Sequence, residues 1–163
     1  MVRFKNRYLT VEIIPFDGKT ISKEAVAFRK YDIYSAVLNI TEEIHGEFGF
    51  AAIKNGLEVR CSPLYDKESD HCNPYTRTVI IRTRHGPHRL LASSLPFLSK
   101  IGNRKVQMRG IYTGASMAKC FKYLEKFHRE SLEQDLKNCK TTEEKKDIEE
   151  ILSKLCCLRG KSK

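Results

Sequence analysis

The sequence predicts an α/β domain of the ferredoxin-like class, a split βαβ sandwich in which helices cover one face of a four-stranded antiparallel sheet. Two observations support this class. Segments with the alternation or the β-branched residues of a strand are interspersed with segments whose apolar residues recur at helical spacing. Their order is β-α-β-β-α-β, followed by C-terminal helical extensions. Since many activities use this fold, the class does not decide the function.

Each element is predicted from its local pattern. Alternating apolar residues or clustered β-branched residues predict strands at 8–14, 57–62, 76–84 and 105–113. The first helix is expected over 33–44, with Asp32 as its cap and Gly46 at its end. Together these segments account for the sheet and for one of its covering helices.

The remaining helices follow from capping residues and apolar stripes. Pro87 stands where a second helix is expected to start, at 88–101, and Pro96 is a potential kink. Ser116 is the expected N-cap of a long third helix. The apolar stripe of that helix comprises Met117, Cys120, Phe121, Leu124 and His128. Residues 1–138 are therefore expected to form one domain, and 139–163 an amphipathic helix, starting near Thr141, with a basic tail.

The first strand changes character along one face. Alternate side chains of a strand share a face, and here that face carries three basic residues followed by three apolar ones. They are Arg3, Lys5, Arg7, Leu9, Val11 and Ile13. In the predicted topology this strand is central, so its basic start should converge with Arg82, Arg84 and the turn at 112–119. A frayed, solvated chain end is the alternative interpretation.

The composition indicates a folded protein without a membrane segment. Hydrophobic residues make up 40% and charged residues 31% of 163 positions. The apolar stretches are too short for a membrane helix, and the first residues do not fit a secretory signal. The six cysteines are irregularly spaced, which favours reduced thiols in a cytosolic or nuclear protein.

Positive charge is concentrated in one third of the chain. The net charge is +10, and the stretch from His71 to Leu124 contains ten Lys and Arg residues but no Asp or Glu. Such segregation is typical of a polyanion-binding protein. The alternative is a basic surface that serves solubility, but solubility does not require the exclusion of acids from so long a stretch.

Base stacking, metal binding and catalysis receive less support from the sequence. Tyr8 is the one aromatic residue on the predicted open face of the sheet, so recognition of phosphate and shape is favoured over base stacking. The spacing of the Cys and His residues between 61 and 88 fits no zinc motif, and no metal site is predicted. No carboxylate pair lies in the basic stretch, and no nucleophilic Cys-His pair is singled out, although the sequence does not exclude one.

Four segments together carry a resemblance to a known family. They are MVRFKNRYL, HGEFG, TVIIRTRHGPHRLLASSLPFLSKI and YTGASMAKCFKYLEKFHRESLEQDLKNC. On these segments the chain resembles, from Met1 to about Cys139, the Pop-five family of small protein subunits of eukaryotic ribonuclease P and ribonuclease MRP.

The resemblance implies an RRM-like variant of the predicted fold and a place in a ribonucleoprotein of the nucleus and nucleolus. In that family the RNA carries out endonucleolytic processing of precursor tRNA or precursor rRNA with magnesium, and the protein subunits are non-catalytic and bind no cofactor of their own. The expected partners are the catalytic RNA, a TIM-barrel-like protein subunit and other small protein subunits. The glycine-rich turn of the family corresponds here to Gly114-Ala115-Ser116.

RNA binding through phosphate contacts is therefore the predicted function. The first candidates for these contacts are Arg3, Lys5, Arg7, Arg82, Arg84 and Arg89, and the second are Arg104, Lys105, Arg109, Lys119 and Lys122. Two other functions stay open, an adaptor whose basic face binds an acidic protein and a small metabolic enzyme. The acidic helix expected within 139–163 is a poor RNA surface, and either packs on its own domain or faces a protein partner.

Overall fold

A computed structural model describes residues 5–16, 28–61 and 77–138 of the chain. It contains five strands and three helices in these ranges. The strands are β1 (Asn6–Pro15), β2 (Glu58–Cys61), β3 (Thr78–Arg84), β4 (Lys100–Ile101) and β5 (Arg104–Gly114); the helices are α1 (Lys30–Lys54), α2 (His88–Ser94) and α3 (Met117–Asn138). Residues 1–120 and 121–163 form two units, and α3 begins in the first and continues into the second. The helix predicted from Thr141 lies outside the described residues.

The sheet places β1 at its centre, as the sequence predicts. The strand order is β2-β3-β1-β5-β4, and every neighbouring pair is antiparallel. Tyr8 of β1 is paired with Arg82 of β3 on one side and with Gly114 of β5 on the other. A β-bulge between Thr10 and Val11 shifts the register with β5. This irregularity was not predicted.

The predicted strand count of four is wrong, because a short strand forms inside the segment assigned to the second helix. That helix ends at Ser94 and is followed by a 3₁₀ turn over Leu95–Phe97 with proline at its start. Beyond this turn the chain becomes extended, and Lys100–Ile101 pairs with the start of β5. Gly102 has a φ of 57°, a value that favours glycine, and it closes the hairpin between β4 and β5.

The first helix also differs from its prediction. It starts earlier, so Arg29 rather than Asp32 occupies the N-cap position, and no side chain caps it. The helix leaves regular geometry at Gly46, with φ 65° and ψ −167°, and then resumes as far as Lys54. Gly46 therefore ends the first helical segment, as predicted, and the second segment beyond it was not predicted. The second segment persists because Ile53 is fully buried in the core.

The hydrophobic core lies on one face of the sheet. The alternate residues Leu9, Val11 and Ile13 of β1 are buried there, as predicted, together with Val79 and Ile81 of β3 and Val106 and Met108 of β5. Apolar residues of α1 and α2 complete the cluster. The cluster contains 17 buried apolar residues among the described ones, and their burial, at roughly 1.5–3 kcal/mol each, supplies the main favourable term in folding.

The opposite face is less open than predicted. Thr10, Thr78 and Ile80 point to this face and are fully buried. Cys120 of α3 is also buried, and its Sγ lies 3.6 Å from the carbonyl oxygen of Tyr8. The start of α3 is where the sequence places it, directly after Ser116, whose carbonyl accepts the N–H of Cys120. None of the described helices is long and apolar enough to cross a membrane.

Candidate nucleic-acid interface

Basic side chains gather where β1 begins and β3 ends. Asn6 is paired with Arg84, and the N–H of His85 donates to the carbonyl of Lys5 at 2.7 Å. The turn after β3 then leads into α2. We call this group the basic end; its members are Lys5, Arg7, Arg84, His85, His88 and Arg89. The convergence of Lys5 and Arg7 with the end of β3 agrees with the sequence prediction, whereas Arg3 lies outside the described residues.

The surroundings of His88 show how close the positive groups of the basic end lie to one another. The backbone N–H of Gly86 donates to its Nδ1 at 3.1 Å, so in the neutral ring Nε2 carries the proton. The ring of His85 is 5.4 Å away, centroid to centroid. The pKa of His88 is lowered from its ordinary value, first by burial and then by the positive groups His85, Arg7 and Arg89. An anion placed here would relieve this repulsion.

Arg82 belongs to a different face from Arg7. It is paired with Tyr8, whereas Arg7 is paired with Thr83, and successive residues of a strand point to opposite faces. Arg82 donates from Nη1 to Oε2 of Glu58 at 2.8 Å. Arg84, paired with Asn6, shares the face of Arg82. The predicted convergence of Arg82 and Arg84 with the first basic residues therefore holds for the end of the sheet but not for the face.

A second arginine, Arg60, binds the other oxygen of the same carboxylate. Nε of Arg60 donates to Oε1 of Glu58 at 2.7 Å, and this bond is the largest cause of a lowered Glu58 pKa, with the Arg82 bond acting in the same direction against the effect of burial. Arg60 was not predicted as a site residue. The alternation of Glu58 and Arg60 on the short strand β2 was the available signal.

Two of the second candidates lie at the far end of the sheet. Arg104 and Lys105 start β5, and the carbonyl of Lys105 accepts the N–H of Phe16, just beyond β1. Since β1 has ten residues, this hairpin is about 30 Å from the basic end. The predicted contact residues therefore do not form one continuous surface.

The other second candidates are differently placed. Arg109 forms an ion pair with Glu12 across β5 and β1. Lys119 and Lys122 are exposed on α3, the first within residues 1–120 and the second within residues 121–163.

The turn before α3 is constrained by its own packing. A Cβ on Gly114 would lie 2.8 Å from Sγ of Cys120 and 3.0 Å from Cε1 of Tyr112. Glycine is thus required here by neighbouring side chains of the chain itself.

The described residues offer little for protein-based catalysis. In the ranges 5–16, 28–61 and 77–138 no three His, Cys, Asp or Glu side chains are grouped as a metal site would need. Cys120 is buried, and burial raises the pKa of its thiol although Thr10 and Gly114 act in the opposite direction. Because the thiolate is the nucleophilic form, a buried thiol with a raised pKa is unsuited to covalent catalysis.

Comparison with known proteins places most of the chain in one family. Residues 7–125 match the model of the Rpp14/Pop5 family. The chain is 31% identical to ribonuclease P/MRP protein subunit POP5 of Danio rerio over 156 residues, which are 93% of this chain and 85% of that protein. The subunit of the same name from Homo sapiens is 28% identical over 162 residues, covering 97% and 91%.

A solved structure is also similar. It is a chain of the cryo-EM structure of yeast ribonuclease MRP, with a TM-score of 0.49 and 16% sequence identity. The match covers 85% of this chain and 99% of that chain.

Proposed function

Because the chain belongs to the Rpp14/Pop5 family, we propose that it is a non-catalytic, RNA-binding protein subunit of ribonuclease P, ribonuclease MRP or both. In this role it would support the RNA-catalysed processing of precursor tRNA or precursor rRNA in the nucleus and nucleolus. Its partners would be the catalytic RNA, a TIM-barrel-like protein subunit and other small subunits. The magnesium ions of such a reaction would be held by the RNA.

The observation that carries this proposal is the basic end. Six basic or titratable side chains share one end of the sheet, and three of them, Lys5, Arg7 and Arg89, form no ion pair with any carboxylate of the described residues. The pKa of His88 is lowered first by burial and then by the neighbouring positive groups His85, Arg7 and Arg89. An RNA backbone supplies the closely spaced negative charge that would stabilise this arrangement.

The proposed mechanism is neutralisation of phosphates that RNA folding brings together. Helices of a catalytic RNA repel one another through their backbones, and a cluster of cations lowers that repulsion where they approach. The sheet and α2 fix the backbone from which these side chains extend, while the exposed side chains of Lys5 and Arg89 would be ordered on binding. The protein itself would contribute no reacting group.

The decisive experiment is affinity purification of the tagged chain from its own cells, with sequencing of the co-purified RNA. The eluate is assayed for cleavage of precursor tRNA and precursor rRNA, before and after ribonuclease digestion. One abundant structured RNA together with cleavage that digestion abolishes would support the proposal, and the substrate cleaved would identify the particle. Protein partners that survive digestion without any enriched RNA would instead favour the adaptor function.

A matched pair of variants tests the basic end in the same preparation. The triple variant Lys5→Ala, Arg7→Ala, Arg89→Ala should reduce RNA recovery. The control Lys54→Ala, Lys126→Ala, Lys137→Ala removes the same charge from exposed positions elsewhere and should recover RNA normally. Equal recovery with both variants would contradict the role of the basic end.

A further inference from the structure

A cavity lies at the β2 edge of the sheet, beside the basic end but separate from it. Its volume is about 630 Å³, within the roughly 300–1,000 Å³ typical of small-molecule sites. Among the described residues it is lined by Arg29, Lys30, Tyr31, Tyr34, Leu57, Glu58 and Val59. The first four come from the start of α1, and the last three from the start of β2 and the residue before it.

The lining combines an aromatic platform with positive charge. Tyr31 is 75% exposed, whereas Tyr34 is partly buried against the hydrophobic core and so forms a fixed wall. Arg29 is exposed and forms no ion pair with any carboxylate in the described ranges. A base can stack on a tyrosine ring while its phosphate contacts a nearby guanidinium, and single-stranded nucleic acids are bound by this combination.

Glu58 does not reverse the charge of the cavity. Both of its carboxylate oxygens accept bonds from arginines, Oε1 from Arg60 and Oε2 from Arg82. The acid is therefore balanced by two cations. With Arg29 added, the charges of Arg29, Glu58, Arg60 and Arg82 sum to an excess of positive charge among these described residues, which complements a phosphodiester.

The cavity adjoins the basic end through Gly56. A Cβ at this glycine would lie 2.7 Å from Cγ of Arg84, so the backbone at Gly56 is in close contact with the Arg84 side chain. Leu57, the next residue, lines the cavity. The basic end and the cavity are therefore adjacent through the contact of Gly56 with Arg84.

From these features we infer that the cavity binds one unpaired nucleotide of a single-stranded RNA segment, with the base stacked on Tyr31 and its phosphate held by Arg29. The inference rests on the proposed function, since it assigns the chain a second RNA contact, one that requires an unpaired base. A peptide added to the edge of β2 is the other candidate occupant, and the exposed ring of Tyr31 close to the exposed Arg29 favours a nucleotide over it.

The test compares two probes on the full chain by fluorescence anisotropy, a short labelled oligouridylate and a short labelled A-form RNA duplex. Tyr31→Ala should weaken oligouridylate binding by roughly tenfold, within the range of about five- to 150-fold that loss of one stacked base gives. Duplex binding should change less than about twofold, because paired bases cannot stack on the ring. Arg29→Ala should weaken oligouridylate binding, and Tyr31→Phe should preserve it.

The control Phe48→Ala removes an equally exposed aromatic residue, 79% accessible, from the same helix beyond the kink at Gly46. It should bind both probes normally.

Photo-crosslinking tests the same contact in the wild-type chain and does not depend on the folding of any variant. An iodouridine-substituted strand should crosslink to the peptide that contains Tyr31, as mapped by mass spectrometry.

The outcomes separate the two proposals. The cavity inference alone would be overturned by three results together. The double variant Lys5→Ala, Arg7→Ala loses binding to both probes, Tyr31→Ala binds oligouridylate normally, and no crosslink forms at residue 31. Absence of measurable binding to either probe by the wild-type chain would overturn both. Capture of an acidic protein that Tyr31→Ala abolishes after nuclease treatment, with oligouridylate binding intact, would make the cavity a peptide site and overturn the inference.

Discussion

Nη2 of Arg109 lies 2.7 Å from Oε2 of Glu12, and the two residues face each other across β5 and β1. The sequence places Arg109 in a stretch without acids and predicts it to contact RNA. Strand pairing, however, brings an acid 97 positions away onto the same surface. Charge that is segregated along the chain is thus partly balanced in space.

Arg109→Ala should therefore affect RNA binding less than Arg7→Ala. Each phosphate contact adds about 0.7 to the slope of log affinity against log salt for single-stranded RNA. We expect Arg7→Ala to lower this slope by about that amount and Arg109→Ala to leave it nearly unchanged, because the Arg109 guanidinium is bound to Glu12 and does not contact a phosphate. A salt titration of the full chain measures both slopes. A larger change for Arg109→Ala would show that its partner does not neutralise it.

Gly114→Ala should destabilise the protein. The added Cβ would meet Sγ of Cys120 at 2.8 Å and the ring of Tyr112 at 3.0 Å, and overpacking of this kind costs about 1–3 kcal/mol. Gly110→Ala on the same strand is the control, since no atom lies within 4 Å of its added Cβ. Urea unfolding should show a lower free energy of unfolding for the first variant and a change below about 0.5 kcal/mol for the second. Equal stability of both variants would refute the close packing.

The central features of the fold were predictable because they depend on local periodicity. Leu9, Val11 and Ile13 alternate as a half-buried strand must, and the β-branched run from Thr78 to Ile81 marks β3. The extra strand was not predictable in the same way. Lys100 and Ile101 have no strand pattern of their own, and they are extended because the hairpin at Gly102 pairs them with β5.

The candidate site was predictable in composition but not in arrangement. Sequence alone showed that Arg7 and Arg84 would meet near one end of the sheet, because β1 and β3 are antiparallel neighbours. Alternation placed Arg7 on the face of Leu9, but the sequence could not show which acid each arginine would meet. Glu58 forms an ion pair with Arg82 because β2 lies beside β3, and this pairing brings together residues 24 positions apart.

Glu58→Gln should lower stability at neutral pH and have no effect in acid. The Glu58 pKa is depressed below its ordinary value of 4.5, so the carboxylate contributes stability above that pH and loses it as the pH falls through the depressed pKa. Because Glu58 and Arg60 are 40% and 45% exposed, we expect a loss of only about 0.5 kcal/mol. Urea unfolding at pH 7 and near pH 3 measures it. Glu42→Gln, at an exposed position of α1, should change stability at neither pH.

RNA binding should strengthen as the pH is lowered from 8 towards 6. In the free protein burial and the charges of His85, Arg7 and Arg89 depress the His88 pKa below 6.5, so the ring is mainly neutral at pH 7. A bound phosphate favours the charged ring and raises that pKa, so binding takes up a proton and becomes tighter in acid. The proton is added at Nδ1 and replaces the hydrogen bond that this atom accepts from Gly86. The stability of the free protein should change in the opposite direction and fall in acid. The unfolded chain binds this proton more readily than the folded one, so stability declines as the pH falls below about 6.5.

Affinity measured at fixed ionic strength across this pH range, for the wild type and for His88→Ala, tests the assignment. We expect the variant to bind with a weaker pH dependence and with nearly wild-type affinity at pH 8, where the ring is neutral in both states. His45→Ala is the control, because His45 contacts Ser93 at 2.9 Å and is outside the basic end. An undiminished pH dependence in His88→Ala would mean that the proton is taken up elsewhere. His88 would then be a structural residue whose hydrogen bond from Gly86 shapes the turn.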